Sequence, residues 1–148
     1  MELARTVAER STCDRGRNGC VVVRDKRVLA TGYVGSPPGL EHCDDVGHRM
    51  MKAVDEDGTE RQHCIRTSHA EQNALCQAAR FGISLEGATL YSRMEPCQMC
   101  AKMTISVGIM RVVSEKRYHA GEMTRDMFIR AGIALDVLSD ETEQYSNM

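Results

Sequence analysis

The alternation of helical and strand patterns in the second half of the chain limits the fold more than any other feature. Apolar residues recur there at helical spacing in three segments, and short β-rich runs lie between them. These patterns predict helices over residues 69–81, 97–107 and 124–130, and strands over residues 88–92, 110–114 and 133–138. Because such alternation is typical of a mixed sheet covered by helices, we predict an α/β fold in which the later strands can be parallel.

The first half of the chain begins the same sheet. Residues 2–10 place apolar side chains on one helical face, which predicts a short first helix. Two β-rich runs, residues 20–24 and 28–33, are joined by the polar segment Asp25-Lys26-Arg27. This arrangement predicts a hairpin.

A polar stretch over residues 40–67 interrupts the pattern. Acidic residues are frequent in it, and only a brief helix over residues 49–54 is expected. An irregular segment of this length usually needs something that holds it in place. We therefore treat residues 1–138 as one domain in which 40–67 is an inserted loop, and residues 139–148 as a loosely held polar tail.

Composition and charge exclude several classes of protein. The chain has 148 residues with a formal net charge of −2 and a pI near 6.2, which favours a small substrate over long nucleic acid. No apolar run approaches the roughly 20 residues of a membrane span, and Glu2 and Glu9 lie where a signal peptide would be apolar. A cytoplasmic protein is expected, in which the seven cysteines serve as thiols and metal ligands and not as disulfides.

Two short motifs carry the chemistry. His69-Ala70-Glu71 and Pro96-Cys97-Gln98-Met99-Cys100 match the H-x-E and P-C-x-x-C signature known for zinc-dependent deaminases. A catalytic zinc takes three protein ligands and keeps one position for water, and His69, Cys97 and Cys100 supply one imidazole and two thiolates. Glu71 is near the metal without needing to bind it. We predict that Glu71 moves protons while an activated water replaces the amine of a cytosine-type base.

The positions of the motifs within the predicted elements favour a catalytic site. Cys97 and Cys100 fall on one face at the start of a helix, where backbone N–H groups and the helix dipole favour thiolates. Pro96 suits that start, and His69 also begins a helix. The alternatives are a purely structural zinc site with the same ligands, and a chance coincidence of a histidine with a C-x-x-C pair.

The surrounding sequence resembles deoxycytidylate (dCMP) deaminases of the zinc-dependent cytidine/deoxycytidylate deaminase superfamily. The segments that carry the resemblance are Ser11-Thr12-Cys13, Val21-Val22-Val23, Gly32-Tyr33, Gly35-Ser36-Pro37-Pro38-Gly39, His63-Cys64-Ile65-Arg66-Thr67 and His69-Ala70-Glu71-Gln72-Asn73-Ala74. The resemblance implies a three-layer α/β/α cytidine deaminase-like fold with a five-stranded mixed sheet and helices on both faces. It also implies hydrolysis of dCMP to dUMP and ammonia for thymidylate precursor supply, and a homo-oligomer, often a hexamer.

The resemblance implies regulation by nucleotides as well. Members of the family are commonly activated by dCTP and inhibited by dTTP, and Mg²⁺ accompanies the triphosphate. The effector segment corresponds to residues 32–39, which gives Gly32, Tyr33 and Gly35, together with Asn73, as effector-binding residues.

The implied substrate pocket contains Val34, Ala70, Pro96 and Tyr118, and the surrounding sequence departs from the family pattern at two positions. Val34 stands where the family has an asparagine that helps to hold the sugar, and valine offers no side-chain hydrogen bond. Either substrate or effector binding is altered, or another residue supplies that contact. Glu95, before Pro96, resembles nucleobase and tRNA adenosine deaminases more than most dCMP deaminases. The side chain of Tyr118 either covers the base or sugar of the substrate or packs against other residues of the protein.

A second, structural zinc is also implied, because some microbial and phage members of the family carry one. Cys13 and Cys43 match its usual positions, and His48, His63 and Cys64 offer the remaining ligands. We choose Cys13, Cys43, His48 and Cys64, since such a zinc would hold the polar stretch in place. The alternative is that these are surface or packing residues.

Other functions remain as alternatives to dCMP deamination. A deaminase of the same superfamily could act on a modified cytosine nucleotide, dCTP, a free base or adenosine. A zinc-bound regulatory or nucleic-acid-binding module that has kept the fold and lost the chemistry belongs to a different class, and the intact Glu71 argues against it. Arg15 and Arg17 are candidates for a phosphate contact.

Overall fold

A computed structural model describes residues 1–54 and 58–142 of the chain. Its α-helices are α1 (Glu2–Ala8), α2 (Cys43–Val46), α3 (Ala70–Arg80), α4 (Gln98–Ser106) and α5 (Glu122–Ala131), and a single 3₁₀ turn spans Asp14–Gly16. Its strands are β1 (Gly19–Arg24), β2 (Arg27–Tyr33), β3 (Met50–Val54), β4 (Glu60–Cys64), β5 (Thr89–Met94), β6 (Arg111–Lys116) and β7 (Ala134–Val137). Among the described helices, none has both the length and the apolar character that crossing a bilayer requires.

Five strands form one mixed sheet in the order β2-β1-β5-β6-β7, which confirms the predicted five-stranded sheet. β1 pairs antiparallel with β2 and β5, whereas β5, β6 and β7 run parallel to one another. The hairpin between β1 and β2 turns at Asp25 and Lys26, whose φ angles are 51° and 62°. Positive φ at both positions is what a tight two-residue hairpin turn requires, so Arg27 already belongs to β2.

Two glycines show that helices cover both faces of the sheet. A Cβ atom at Gly19 would collide with the backbone of α1, and one at Gly32 would collide with the backbone of α3. Cys20 is the cross-strand partner of Gly32, so Gly19 and Gly32 point to opposite faces. α1 therefore covers one face and α3 the other, as the three-layer prediction requires.

The main core fills the space between the sheet and α3, α4 and α5. Its fully buried members include Val22, Leu90 and Val112 from the central strands, Ala74 from α3 and Phe128 from α5. Small side chains on α3 let that helix lie close to β2. The close packing fixes where α3 begins relative to β5, the strand that leads into α4.

The predicted helix over residues 49–54 is wrong. Met50–Val54 forms β3, which pairs with β4 as a separate antiparallel ribbon from Met50↔Cys64 to Val54↔Glu60. Four of the five residues of β3 are apolar, but all five are at least partly exposed, so a helix here would have no buried face. Cross-strand hydrogen bonds satisfy its backbone groups instead. Residues 55–57 of the predicted inserted loop lie outside the described residues.

The beginning of the predicted C-terminal tail is attached to β6. The N–H of Ser139 donates to the carbonyl of Glu115 at 3.0 Å, and the N–H of Arg117 donates to the carbonyl of Glu141 at 3.0 Å. Residues 143–148 of the tail lie outside the described residues, and the part that the structure describes continues the pairing of β7 with β6.

Candidate active site

Three metal-ligand side chains converge where α3 and α4 begin. His69 is the N-cap residue of α3 and Cys97 that of α4, with Cys100 in the first turn of α4. The Nδ1 atom of His69 lies 3.5 Å from the Sγ atoms of both Cys97 and Cys100. Around a tetrahedral zinc with ligand distances of about 2.1 Å to nitrogen and 2.3 Å to sulfur, nitrogen and sulfur would lie about 3.6 Å apart. The three donors therefore have the spacing that one zinc ion requires.

Local backbone structure explains why these side chains meet. His69 and Cys97 have extended backbones immediately before their helices, which turns both side chains toward the same space. The N–H of His69 donates to Oε1 of Gln72 at 2.9 Å, and this contact fixes the first turn of α3. The carbonyl of Cys97 accepts the N–H of Ala101 at 2.8 Å, so α4 begins directly at the ligand.

Hydrogen bonds among the three donors shift their pKa values and favour one thiolate, whose negative charge attracts a cation. The hydrogen bond with the Cys100 thiol, helped by His69, lowers the pKa of Cys97 to about 4. The same hydrogen bond raises the pKa of Cys100, and the hydrogen bond with Cys97 raises the pKa of His69 to about 9. Cys97 is therefore the donor that most readily becomes a thiolate, the form that binds metals.

Glu71 is a buried carboxyl group beside this cluster. Its side chain is held by two polar residues from other elements, and the residue is only 3% exposed. Oε1 of Glu71 accepts the Ser92 hydroxyl at 2.7 Å and the Asn18 side-chain amide at 3.3 Å. Ser92 belongs to β5, and Asn18 directly precedes β1. Neither residue is predicted from the sequence, although Ser92 lies two residues after Leu90, on the same face of a predicted strand, and that position could have identified it.

A cavity of about 920 Å³ opens at this cluster. His69, Glu71 and Cys97 line it, and so do Val34 and Tyr118 from the predicted substrate pocket. The other two predicted substrate residues are buried within the protein and are not part of the cavity wall. They are Ala70 and Pro96.

The predicted effector residues lie where β2 meets α3. Nδ2 of Asn73 donates to the carbonyl of Tyr33 at 2.8 Å and to that of Gly35 at 3.3 Å. Gly32 packs directly against α3. These contacts attach the end of β2 to the helix that begins next to His69.

Glu95 connects the ligand loop to the segment that carries Tyr118. Its side chain is fully buried, and Nη1 of Arg125 lies 2.8 Å from one of its oxygens and 3.1 Å from the other. The N–H of Tyr118 donates to the same carboxylate at 3.1 Å. The residue that departs from most dCMP deaminases therefore holds one wall of the cavity in position next to Cys97.

A second group of potential metal ligands consists of Cys13, Cys43, His48 and Cys64, whose donor atoms all lie within 4.8 Å of one another. Sγ of Cys43 lies 3.5 Å from Sγ of Cys64, and Sγ of Cys13 lies 3.6 Å from Nδ1 of His48. The other ring nitrogen of His48 lies 3.0 Å from a carboxylate oxygen of Asp14, as is usual for histidines that bind metals. Three cysteines and one histidine form a closed set that suits a structural zinc. We call these four residues the clip cluster.

The clip cluster joins parts of the chain that are distant in sequence. Cys13 precedes the 3₁₀ turn, Cys43 begins α2, and Cys64 ends β4. His63, the alternative ligand in the sequence interpretation, lies instead among the residues that line the cavity.

Comparisons with known proteins point to one family. The family described as "Cytidine and deoxycytidylate deaminase zinc-binding region" matches residues 1–116. The deoxycytidylate deaminase of Mycobacterium phage D29 is 40% identical over 117 residues, which are 77% of this chain and 89% of that protein. The deoxycytidylate deaminase of Schizosaccharomyces pombe is 37% identical over 91% of this chain, and the aligned region spans only 41% of the yeast protein.

This chain is also similar to a solved structure. The dCMP deaminase from the cyanophage S-TIM5, crystallised with dCMP and dUMP, has a TM-score of 0.71 and 26% sequence identity over 92% of this chain and 91% of that one. The family match covers more than half of the chain, and the cysteine and histidine spacing fits a zinc ion. The fold, the ligand geometry and these similarities together establish that the chain belongs to the cytidine and deoxycytidylate deaminase family.

Proposed function

We propose that this protein hydrolyses dCMP to dUMP and ammonia at a zinc site formed by His69, Cys97 and Cys100. The observation that carries the proposal is the cluster of these three donors, two of which, His69 and Cys97, line the same cavity as the buried Glu71. Similarity to deoxycytidylate deaminases, one of them crystallised with dCMP and dUMP, supports the choice of substrate.

The roles of the side chains follow from their positions. Zinc, when bound, lowers the pKa of a coordinated water and so provides a nucleophile at neutral pH. Beside a zinc held by His69, Cys97 and Cys100, the Glu71 carboxylate would take up a proton from water and deliver protons to the ring nitrogen and to the departing amine. The water oxygen ends on the ring carbon that carried the amine, and nitrogen leaves as ammonia. Hydrogen bonds from Ser92 and Asn18 hold the Glu71 carboxyl in one orientation during these transfers.

A panel of substrates tests this proposal. We expect ammonia release to be fastest with dCMP, and slower with deoxycytidine, dCTP, 5-methyl-dCMP, cytosine and adenosine. The measurement is kcat/KM from ammonia production, with dCMP also assayed in the presence of dCTP and Mg²⁺. Turnover of another member of the panel without turnover of dCMP would replace the substrate. No turnover of any member by zinc-loaded protein would favour a non-enzymatic module.

The finer parts of the proposal rest on the resemblance. They are activation by dCTP with Mg²⁺, inhibition by dTTP, assembly into a homohexamer and a cytoplasmic location. Gly32, Tyr33, Gly35 and Asn73 would lie at the effector site. Activity measured against dCTP and dTTP concentration, together with the mass of the particle in solution, distinguishes a regulated hexamer from an unregulated smaller enzyme.

Removing the Ser92 hydroxyl is expected to slow the reaction without weakening substrate binding. Oγ of Ser92 lies 2.7 Å from Oε1 of Glu71 and 2.7 Å from the carbonyl of Met94, so these two acceptors share the single hydroxyl proton and the carboxyl is held next to the backbone of β5. A hydrogen bond to a charged group contributes roughly 1.5–3 kcal/mol, which corresponds to a decrease in kcat of about 10-fold or more for Ser92→Ala. Steady-state kinetics should show KM nearly unchanged, and Ser92→Thr should recover most of the rate. An equal rate for Ser92→Ala and the parent would exclude this role.

A further inference from the structure

Asn18 is a polar residue of the cavity wall that also contacts Glu71. It lies directly before β1, and continuing the register between β1 and β2 makes Val34 its partner across the hairpin. The N–H of Val34 accordingly donates to the carbonyl of Asn18 at 3.0 Å. Gly32, two residues before Val34, packs against α3, and side chains alternate between the two faces of a sheet. The side chain of Asn18 is therefore directed to the face that α3 covers, where Glu71 lies.

Hydrogen bonds hold both the backbone and the side chain of Asn18. Its carbonyl accepts the hydroxyl of Ser11 at 3.1 Å in addition to the N–H of Val34. Its Oδ1 atom accepts the N–H of Gly19 at 2.9 Å, and Gly19 itself packs against the backbone of α1. Because Oδ1 is engaged in this way, Nδ2 is the atom that faces Glu71. The Asn18 amide therefore keeps one orientation before any ligand binds.

The Nδ2 atom of Asn18 carries two hydrogens, and each of them can donate a hydrogen bond. One is directed to Oε1 of Glu71 at 3.3 Å, a longer contact than the 2.7 Å between the same oxygen and the Ser92 hydroxyl. Within the part of the chain that the structure describes, Nδ2 has no second acceptor. Val34, the neighbour across the hairpin, offers none from its side chain. Asn18 therefore presents an N–H donor to the cavity beside the catalytic carboxyl group.

The role proposed for Glu71 indicates which atom of the substrate lies next to this donor. Glu71 would deliver a proton to the ring nitrogen beside the reacting carbon, which is N3 of cytosine. N3 has two neighbours in the ring, the carbon that loses the amine and the carbon of the C2 carbonyl. Among the described residues, Asn18 makes its side-chain contact with Glu71 and with none of the three zinc ligands. We therefore place its free N–H on the side of N3 where the C2 carbonyl lies.

We propose that the side-chain amide of Asn18 donates a hydrogen bond to the C2 carbonyl of the cytosine base and so determines the choice of base. The inference rests on the proposed function, because it takes a cytosine nucleotide as the ligand. Asn18 and Glu71 together then recognise two adjacent groups of the ring, the C2 carbonyl and N3. Adenine has a hydrogen atom where cytosine has this carbonyl, so it would leave the Asn18 donor unpaired, and a site built to form a hydrogen bond discriminates against such a substrate. The contact makes the enzyme prefer cytosine to adenine.

Binding to an inactive protein tests this contact. In a Glu71→Gln background, calorimetry should show that dCMP binds roughly 5–10-fold more tightly than 2-thio-dCMP, because sulfur accepts a hydrogen bond more weakly than oxygen. Asn18→Leu should bring the two affinities to within about twofold of each other. Asn18→Asp should do the same, and it keeps an oxygen for the N–H of Gly19, so the end of the hairpin stays folded. Gln77→Leu is the matched control, since it removes an exposed amide outside the cavity wall and should leave the ratio unchanged.

A second ligand distinguishes the base from the sugar. The 5′-phosphate of 2′,3′-dideoxycytidine keeps the C2 carbonyl and lacks the 3′-hydroxyl, so its affinity relative to dCMP should be the same with and without the Asn18 amide. If this ratio falls in the variants while the 2-thio ratio stays, Asn18 binds the sugar and the proposal is wrong. Equal weakening of all three ligands would also overturn it, because a purely structural role gives that result. In both cases dCMP is still deaminated by the parent protein, whereas a parent that neither binds nor deaminates dCMP contradicts the proposed function itself.

Discussion

Replacing Glu71 by glutamine is expected to lower kcat for dCMP by roughly 10³-fold or more while zinc stays bound. Glutamine has nearly the same shape and still accepts the hydrogen bonds from Ser92 and Asn18, so the fold of the site is kept. It cannot take a proton from water or deliver one to the base, and general acid–base catalysis is worth about 10²–10⁴-fold. Single-turnover kinetics and metal analysis of the same sample measure both effects.

The control for this substitution is Glu122→Gln. Glu122 is an exposed carboxylate in the first turn of α5, outside the cavity wall, and its replacement should leave kcat unchanged. Turnover by the Glu71→Gln protein within tenfold of the parent would mean that another group moves the protons.

Replacing Cys64 by alanine is expected to remove one of two zinc equivalents and to lower the midpoint of thermal unfolding by about 10 °C or more. The β3–β4 ribbon has only two strands, and a two-stranded ribbon is marginally stable by itself. The clip cluster attaches it to the 3₁₀ turn and to α2, so a bound metal contributes directly to folding free energy. A loss of about 3 kcal/mol corresponds to a shift of this size in a chain of this length.

Cys76→Ala is the matched control for the clip cluster. Cys76 is an exposed cysteine on α3 that belongs to neither ligand group, so its loss should change neither zinc content nor the unfolding midpoint. If Cys64→Ala keeps two zinc equivalents and the midpoint of the parent, the clip cluster does not bind structural zinc.

The sheet and the helices that carry the zinc ligands are predictable from the sequence, because their signals are local. The alternation after residue 69 predicts each of the later helices and strands within a few residues of its observed bounds. His69 and Cys97 are both predicted at helix starts, and both are N-cap residues in the structure. The pattern of side chains along each element was enough, because each of these elements buries one apolar face.

The ribbon and the contacts of Glu71 are not predictable in the same way. β4 is polar and no side chain of β3 is buried, so the structure of the ribbon depends on cross-strand hydrogen bonds and on the clip cluster and not on a buried apolar face. Asn18 and Glu71 are 53 residues apart in sequence, and their contact depends on how α3 packs against β1 and β2. A local pattern contains no information about such a contact.

Glu95 shows what the structure adds to a departure from a family pattern. In the sequence it suggests a different substrate, because it resembles nucleobase and tRNA adenosine deaminases. In the structure it is a buried carboxylate paired with Arg125 and bound by the N–H of Tyr118. The Glu95 side chain contacts other residues of the protein. Glu95 therefore helps to determine where the cavity wall that carries Tyr118 lies.

Following the oxygen of water into the product tests most directly whether this protein deaminates dCMP by hydrolysis. The zinc-loaded protein would be incubated with dCMP in H₂¹⁸O, and the products analysed by mass spectrometry and an ammonia assay. We expect dUMP that carries one ¹⁸O on the pyrimidine ring, with one ammonia released per dUMP. We expect no product after zinc has been removed by a chelator. Unchanged dCMP with the zinc-loaded protein, or dUMP formed without the label, would contradict hydrolytic deamination.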